Sequence, residues 1–412
     1  GNVRTHLTGA LAAAGVLAMA VASFAGTDLN ASWSNGLSLQ SEDKSFKLKI
    51  GGRIMNDWAW FAQDDSNEVY YGNIQDGTEF RRARIALSGT VYQYVLFKAE
   101  LDFAGAAKAG KEVAMKDVYM GITSIPLAGT IQMGHQKEPF GLEVMTSSNQ
   151  TTFMERAVTN VFAPERNTGI RLQNAFIEEK LTFTAGVFRE TDDGGRNSGD
   201  GDYAVTARLT AMPWANEEKG GLLHIGGAYS QRNPSGDVAY ESRPSAHLAP
   251  DFVGVDGTVD AVSLFGGEGA FCYGPFRAQG EYMMSTIDAE EAGDPSFMSY
   301  YAYASALITG ERYKYKKSEA VFEPVEPKTN FRQDGTGAGA WEIGVRFAFL
   351  DLNDQDIYGG EMTDITVGLN WYMAPTARIM FNYVNSSVEN IGTEGTDAGS
   401  VNVFETRFHI FF

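Results

Sequence analysis

The sequence predicts an all-β fold, a transmembrane antiparallel β-barrel of about 16 strands that is exported behind an N-terminal signal peptide. Three observations carry that prediction. An apolar leader is followed by no second apolar run, many segments of roughly ten residues alternate apolar with polar, and the last strand places Phe404, Thr406, Phe408, Ile410 and Phe412 at every second position. Composition agrees, since 12% of the 412 residues are aromatic and 46 are Gly, a mix suited to many strands and turns. The single Cys272 excludes an internal disulfide, and the 5 His have no zinc-type spacing, so no cofactor or metal is expected.

In the leader, Arg4 and His6 precede the apolar run Leu11 to Ala22, which ends in Ser23-Phe24-Ala25. Small residues at Ser23 and Ala25 fit signal cleavage, so 1–25 reads as a signal peptide and the mature chain starts near Gly26. The alternative is a retained anchor helix, because the run is nearly long enough to span. Beyond it no window approaches about 18 consecutive apolar residues, which excludes a helical membrane protein. Residues 26–45 read as a short periplasmic N-terminal segment and 46–412 as the barrel.

Along the barrel, Phe46, Leu48 and Ile50 share one face and Lys47, Lys49 and Arg53 the other. Phe97, Ala99, Leu101 and Phe103 alternate with Lys98, Glu100 and Asp102; Trp341, Ile343, Val345, Phe347 and Phe349 alternate with Glu342, Gly344 and Arg346. A soluble sandwich alternates too, so loop asymmetry must separate the two. Tight turns at Tyr273-Gly274-Pro275-Phe276 and Met373-Ala374-Pro375-Thr376 contrast with long acidic connections at 190–203, 285–297 and 386–400, as in outer-membrane barrels. Trp58, Trp60, Trp214, Trp371 and Tyr372 suit interfacial girdles. The stretch Pro234 to Asp260 is irregular and able to hide a hairpin, and Tyr313 to Lys317 reads as a basic loop, with a lumen strand as its alternative.

Parity fixes which charges face the lumen, because Lys or Arg on the lipid face at mid-membrane costs about 2–4 kcal/mol. With Ile85 and Leu87 toward lipid, Arg82 and Arg84 point inward, and the same reasoning places Lys47, Lys49, Arg53, Lys98, Arg171, Arg208, Arg277, Arg346 and Arg378 inside. Such a ladder attracts anions, unless Glu100, Asp102, Asp117, Glu281 and Glu342 neutralise it as ordinary lumen pairs. Lys137 to Arg166 is polar, lacks clean alternation and is too long for a hairpin turn, so it is expected to fold inward and narrow the pore. Lys137, Arg156 and Arg166 are then constriction candidates; the alternative is that Glu155-Arg156 and Glu165-Arg166 form ion pairs that pin the loop. The terminal strand must close the barrel against the first and present an apolar lipid face, and Phe408, Ile410 and Phe412 look like the signal read by the barrel assembly machinery.

Gly134-His135-Gln136-Lys137-Glu138-Pro139-Phe140-Gly141-Leu142-Glu143, Thr146-Ser147-Ser148, Phe153-Met154-Glu155-Arg156-Ala157 and Phe162-Ala163-Pro164-Glu165-Arg166-Asn167-Thr168-Gly169 resemble the phosphate-selective porin O and P family. Upstream, Phe80-Arg81-Arg82-Ala83-Arg84 and the segment Phe97 to Phe103 are similar to it as well, so the resemblance spans roughly 46–190. It implies a conducting barrel with an inward-folded constriction loop, a homotrimer, and small anionic solutes such as phosphate. Nucleic acid is not an expected partner.

The net charge of -19 departs from a simple anion channel. Many acids, among them Asp192, Asp193, Asp200, Asp202, Asp288, Glu290, Glu291, Asp294, Asp351, Asp354, Asp356, Glu389, Glu394 and Asp397, fall in expected loops and need not line the pore. There they either form a solvated rim or bridge lipopolysaccharide through divalent cations. A diffusion channel competes with a barrel enzyme and an exported adhesin. Catalysis is disfavoured because His6, His135, His224, His247 and His409 accompany no G-x-S-x-G.

Overall fold

Alternation of apolar and polar residues dictates strands, and strands in lipid must close on themselves because every backbone group needs a partner. The computed structural model, which describes residues 28–105, 113–289, 293–332 and 335–412, has that closure. Its strands are β1 Leu29–Trp33, β2 Leu37–Ser41, β3 Phe46–Gln63, β4 Gly77–Val91, β5 Val95–Asp102, β6 Ala114–Ile125, β7 Gly129–Lys137, β8 Arg166–Phe176 and β9 Leu181–Arg189. They continue as β10 Tyr203–Asn216, β11 Gly221–Asn233, β12 Asp237–Ser242, β13 Val253–Thr258, β14 Ala261–Tyr273, β15 Phe276–Asp288 and β16 Ser296–Leu307. The last are β17 Tyr315–Lys316, β18 Val321–Phe322, β19 Ala340–Asp354, β20 Ile357–Ala374, β21 Ala377–Ile391 and β22 Gly399–Phe411.

Sixteen of these, β3–β11, β14–β16 and β19–β22, form one antiparallel barrel in chain order. It closes where β22 pairs with β3, Val401 opposite Gln63 and Phe411 opposite Arg53. Phe412 then exchanges backbone hydrogen bonds of 2.7 and 3.0 Å with Gly52. Below that seam the β1–β2 hairpin takes over the freed edge of β3, with Leu37 opposite Ile50 and Gln40 opposite Lys47. The expected signal peptide, 1–25, lies outside the described residues.

The faces sort as parity requires. Ile85, Ile170, Val345, Phe408 and Ile410 are exposed on the outer wall, whereas Arg84, Arg208, Arg277, Arg346 and Arg378 are buried inside. Trp58, Trp60 and Trp214 also face outward, but Tyr372 does not: it is buried and donates its hydroxyl to Glu342 at 2.7 Å, so it belongs to the lumen and not to a girdle.

Loop lengths differ from expectation in particular places. Connections at 285–297 and 386–400 are shorter than the composition suggests, because β15 runs to Asp288, β21 to Ile391 and β22 begins at Gly399. Polar residues on both faces hide strand that continues past the lipid band. Conversely, the rim of tight turns carries one long connection, 308–339. It holds the small β17–β18 hairpin, so Tyr313 to Lys317 is neither a plain basic loop nor a wall strand. The irregular stretch Pro234 to Asp260 contains the β12–β13 hairpin, which adds no barrel strand.

Candidate constriction and permeation path

Among the described residues three segments enter the lumen: 138–165 between β7 and β8, 234–260 between β11 and β14, and 308–332 after β16. The first crosses to the far wall and is fastened there largely through its own backbone. Glu281 on β15 accepts the Leu142 and Glu143 amides at 3.0 and 2.6 Å, satisfying the free N–H groups that begin the short helix Leu142–Met145. Gly141, at φ +76°, is required for that approach, since a Cβ there would sit 2.6 Å from the Glu281 Oε2. Asn370 donates to the Thr152 carbonyl at 2.7 Å, and Arg378 to the Thr151 carbonyl at 2.7 Å. Arg346 donates to the Glu155 carbonyl at 3.0 Å and lies over the Phe153 ring at 4.6 Å. Arg407 pairs with Asp57 at 2.5 Å and Glu155 at 2.6 Å.

These contacts divide the lumen cations into two groups. Arg277, which donates to the Thr152 hydroxyl, and Arg346 and Arg378, which parity places inside with it, are covered by the loop and hold it, as Arg407 does; they are not rungs of an anion ladder. Arg208 is likewise spent on Glu268, at 2.6 Å. The second group faces the space that the loop leaves open along β3–β8.

That space is a cavity of ≈ 320 Å³ lined by all eight sequence candidates, Arg53, Arg82, Arg84, Lys98, Lys137, Arg156, Arg166 and Arg171, together with Arg81 and Lys116. Only three acids, Asp117, Glu165 and Glu319, line it with them. A cavity of ≈ 300 Å³ adjoins it above through Arg81, Arg82, Arg156 and Glu165, and one of ≈ 330 Å³ below through Arg53, Arg84 and Lys98. The upper cavity is bordered by segment 234–260, which spans the mouth: Ser245 donates to Asp364 at 2.7 Å and His247 meets Glu79 at 2.5 Å.

Pairing within the cluster is uneven. Arg84 is held by Asp102 at 2.6 Å and Glu100 at 2.9 Å, Lys98 by Asp117 at 2.5 Å and Glu100 at 2.9 Å, and Arg166 by Asp117 at 2.7 Å. Arg53 reaches Glu100 at 3.4 Å and donates to Ser148 at 2.9 Å. Arg156 pairs with Glu165 at 3.0 Å and also donates to the Glu143 and Val144 carbonyls. The adjacent pairs Glu155-Arg156 and Glu165-Arg166 therefore do not form; Glu155 instead receives Arg81 in a two-pronged contact at 2.9 Å, while ion pairs still pin the loop. Burial raises the Glu165 carboxyl, but Arg156 and Arg166 outweigh it and bring it down to about 2. Lys137 donates to the Val144, Met145 and Thr146 carbonyls. Arg171 donates to the Lys137 carbonyl and to Gln132. Among the described residues neither has a carboxylate within 4.0 Å, and Arg82 has only Glu155, at 4.0 Å.

Arg81 and Lys116 escape simple parity because each sits at a β-bulge. The β3–β4 register shifts between Met55/Arg82 and Asn56/Phe80, leaving Arg81 as the extra residue, and the β5–β6 register shifts between Ala99/Val118 and Leu101/Met115. A bulge turns two successive side chains toward one face. The signal is in the sequence: Phe80 and Arg82 have one parity yet suit opposite faces, and so do Met115 and Asp117. No cluster of metal-ligating side chains occurs among the described residues.

The family model for phosphate-selective porin O and P matches residues 48–412. Porin O of Pseudomonas aeruginosa is 28% identical over 458 aligned positions, covering 100% of both chains, and an uncharacterised protein of Caulobacter vibrioides is 25% identical, covering 85% of this chain and 70% of its own. Among solved structures, the anion-selective porin from Comamonas acidovorans superposes with a TM-score of 0.56 at 12% identity, over 89% of this chain and 100% of that one. The trimer form of OmpT from Vibrio cholerae gives 0.54 at 12% identity, over 89% and 100%. Barrel, inward loop and family together point to a channel rather than an enzyme, and the chain belongs to the phosphate-selective porin O and P family as a porin of the outer membrane.

Proposed function

We propose that the channel passes small oxyanions, phosphate among them, and that Arg53, Arg82, Arg84, Lys98, Lys137, Arg156, Arg166 and Arg171 form the surface they cross. The observation that carries this reading is that ten basic side chains line the central cavity against three acids, and that the four further carboxylates paired with them, Glu100, Asp102, Glu155 and Asp193, still leave a basic excess with Lys137 and Arg171 unpaired among the described residues. In a narrow passage with low-dielectric walls, that excess concentrates anions and repels cations. Lys137, Arg82 and Arg171 are the residues with most charge left for a solute, while the carboxylates beside Arg84, Lys98 and Arg166 keep the passage from becoming a trap.

The net charge of -19 does not oppose this, because the acids concentrate at the other rim. Asp192, Asp193, Asp200, Asp202, Asp294, Asp356, Glu394 and Asp397 lie in loops at the end opposite the tight turns. There they form a solvated acidic rim, with bridging to lipopolysaccharide through divalent cations as the alternative. Phe408 and Ile410 on the lipid face favour recognition by the assembly machinery after export behind the leader 1–25. A homotrimer is supported by the trimer described for the Vibrio cholerae relative in fold. Chloride current through single channels in a planar bilayer, titrated with phosphate, tests the solute assignment: stepwise loss of current supports it, and unchanged current at any phosphate concentration rejects it.

A further inference from the structure

Turns on the periplasmic rim of such barrels are short, and the segment that follows β16 breaks that rule, since its residues 313–325 climb inside the lumen. It is built to stay there. Gln173 donates to the Ser318 carbonyl at 3.2 Å and Arg208 to the Ala320 carbonyl at 3.1 Å, while the Tyr315 hydroxyl meets His224 Nδ1 at 2.6 Å. Arg277 lies over the rings of Tyr313 and Phe322 at 4.3 and 4.6 Å. Tyr313, Phe322 and Val325 share a buried apolar cluster with Leu142, so the hairpin also supports the constriction loop from below.

These anchors hold the hairpin's tip at the central cavity. Glu319 is the one lining residue of that cavity that comes neither from the barrel wall nor from 138–165. Its carboxylate is half-exposed and bound to Lys316 at 2.5 Å. Arg171, which has no carboxylate partner within 4.0 Å among the described residues, lines the same cavity, so Glu319 is an acid that shares the cavity with an unpaired cation.

We propose that the hairpin Tyr313–Phe322 is a periplasmic wall of the constriction and that the Glu319 carboxylate, tempered by Lys316, sets how tightly a multiply charged anion is held before it leaves. This rests on the anion reading above. A conducting site must attract an ion without retaining it, and a carboxylate on the wall of that site supplies repulsion that grows with the charge of the solute. Divalent phosphate is therefore affected more than chloride.

The test uses the full-length protein in planar bilayers, with inorganic phosphate titrated against chloride current. Glu319→Gln is expected to lower the half-blocking phosphate concentration at least about fivefold, the effect of two unit charges about 4 Å apart in water. Lys316→Gln, which frees the carboxylate, is expected to raise it. Glu319→Cys treated from the periplasmic side with a charged thiol reagent should lose current; Cys272 is buried and contributes no background. Wild-type phosphate block in both charge variants, or no response of E319C to the reagent, overturns the assignment while the channel remains anion-selective. A cation-selective wild type overturns the parent reading and this one together, so the two failures are distinguishable.

Discussion

Replacing Arg171 by Gln removes a cation whose charge the barrel has left unbalanced. Its guanidinium donates to the Lys137 carbonyl at 3.2 Å and to Gln132, with no described carboxylate within 4.0 Å. An anion beside it forms a charge-assisted hydrogen bond of about 1.5–3 kcal/mol. Coulomb's law gives a consistent bracket, about 1 kcal/mol for unit charges at 4 Å in bulk water and about 4 kcal/mol at an effective dielectric near 20. At about 1.4 kcal/mol per tenfold change, R171Q is expected to raise the half-blocking phosphate concentration about 10- to 100-fold. The assay is phosphate titration of chloride current in planar bilayers, and Arg84→Gln is the contrast. Arg84 is already engaged by Asp102 and Glu100, so its loss strands the buried Asp102 carboxylate, while Glu100 keeps Lys98 and Arg53, and costs about 3–5 kcal/mol of stability. An unaltered half-blocking concentration in R171Q would refute the view that unpaired cations carry the solute.

Gly141→Ala is expected to detach the start of the constriction loop, because the Cβ would meet the Glu281 carboxylate at 2.6 Å; larger and noisier single-channel currents are the readout. Arg407→Met leaves Asp57 buried without its cation, while Glu155 keeps Arg81, so the folded barrel should lose about 3–5 kcal/mol in urea unfolding from vesicles. Ile85→Lys puts a charge on the lipid face where Ile85 is 52% exposed, with an expected cost of about 2–4 kcal/mol in the same assay. Lowered to about 2 in the folded state, the Glu165 carboxyl contributes stability that is complete above its ordinary unfolded value and is lost as pH falls toward 2. Loop docking, and with it the reversal potential in a salt gradient, should on this account stay constant from about pH 8 to 5 and drift only in stronger acid.

Much of this architecture was legible because lipid enforces it. Ile85 outward and Arg84 inward follow from parity, and Phe408 outward obliges Arg407 inward on the closing strand. The inward loop was legible from the failure of alternation between Lys137 and Arg166. What parity does not convey is which lumen cations the loop covers. Arg346 and Arg171 obey the same rule, yet one is buried under Phe153 and the other faces the cavity, a distinction that depends on where the loop crosses. Bulges hid Arg81 and Lys116 because each changes the period by one residue. The climb of 313–325 into the lumen was hidden for another reason: its anchors, His224, Arg208 and Gln173, are far away in sequence and mark no local pattern.

The excess of basic over acidic groups at the central cavity makes ion preference the decisive property. The reversal potential of purified protein in a planar bilayer, under a potassium chloride gradient at neutral pH, reports it. The structure predicts a potential near the chloride equilibrium value; a potential near the potassium value would contradict it.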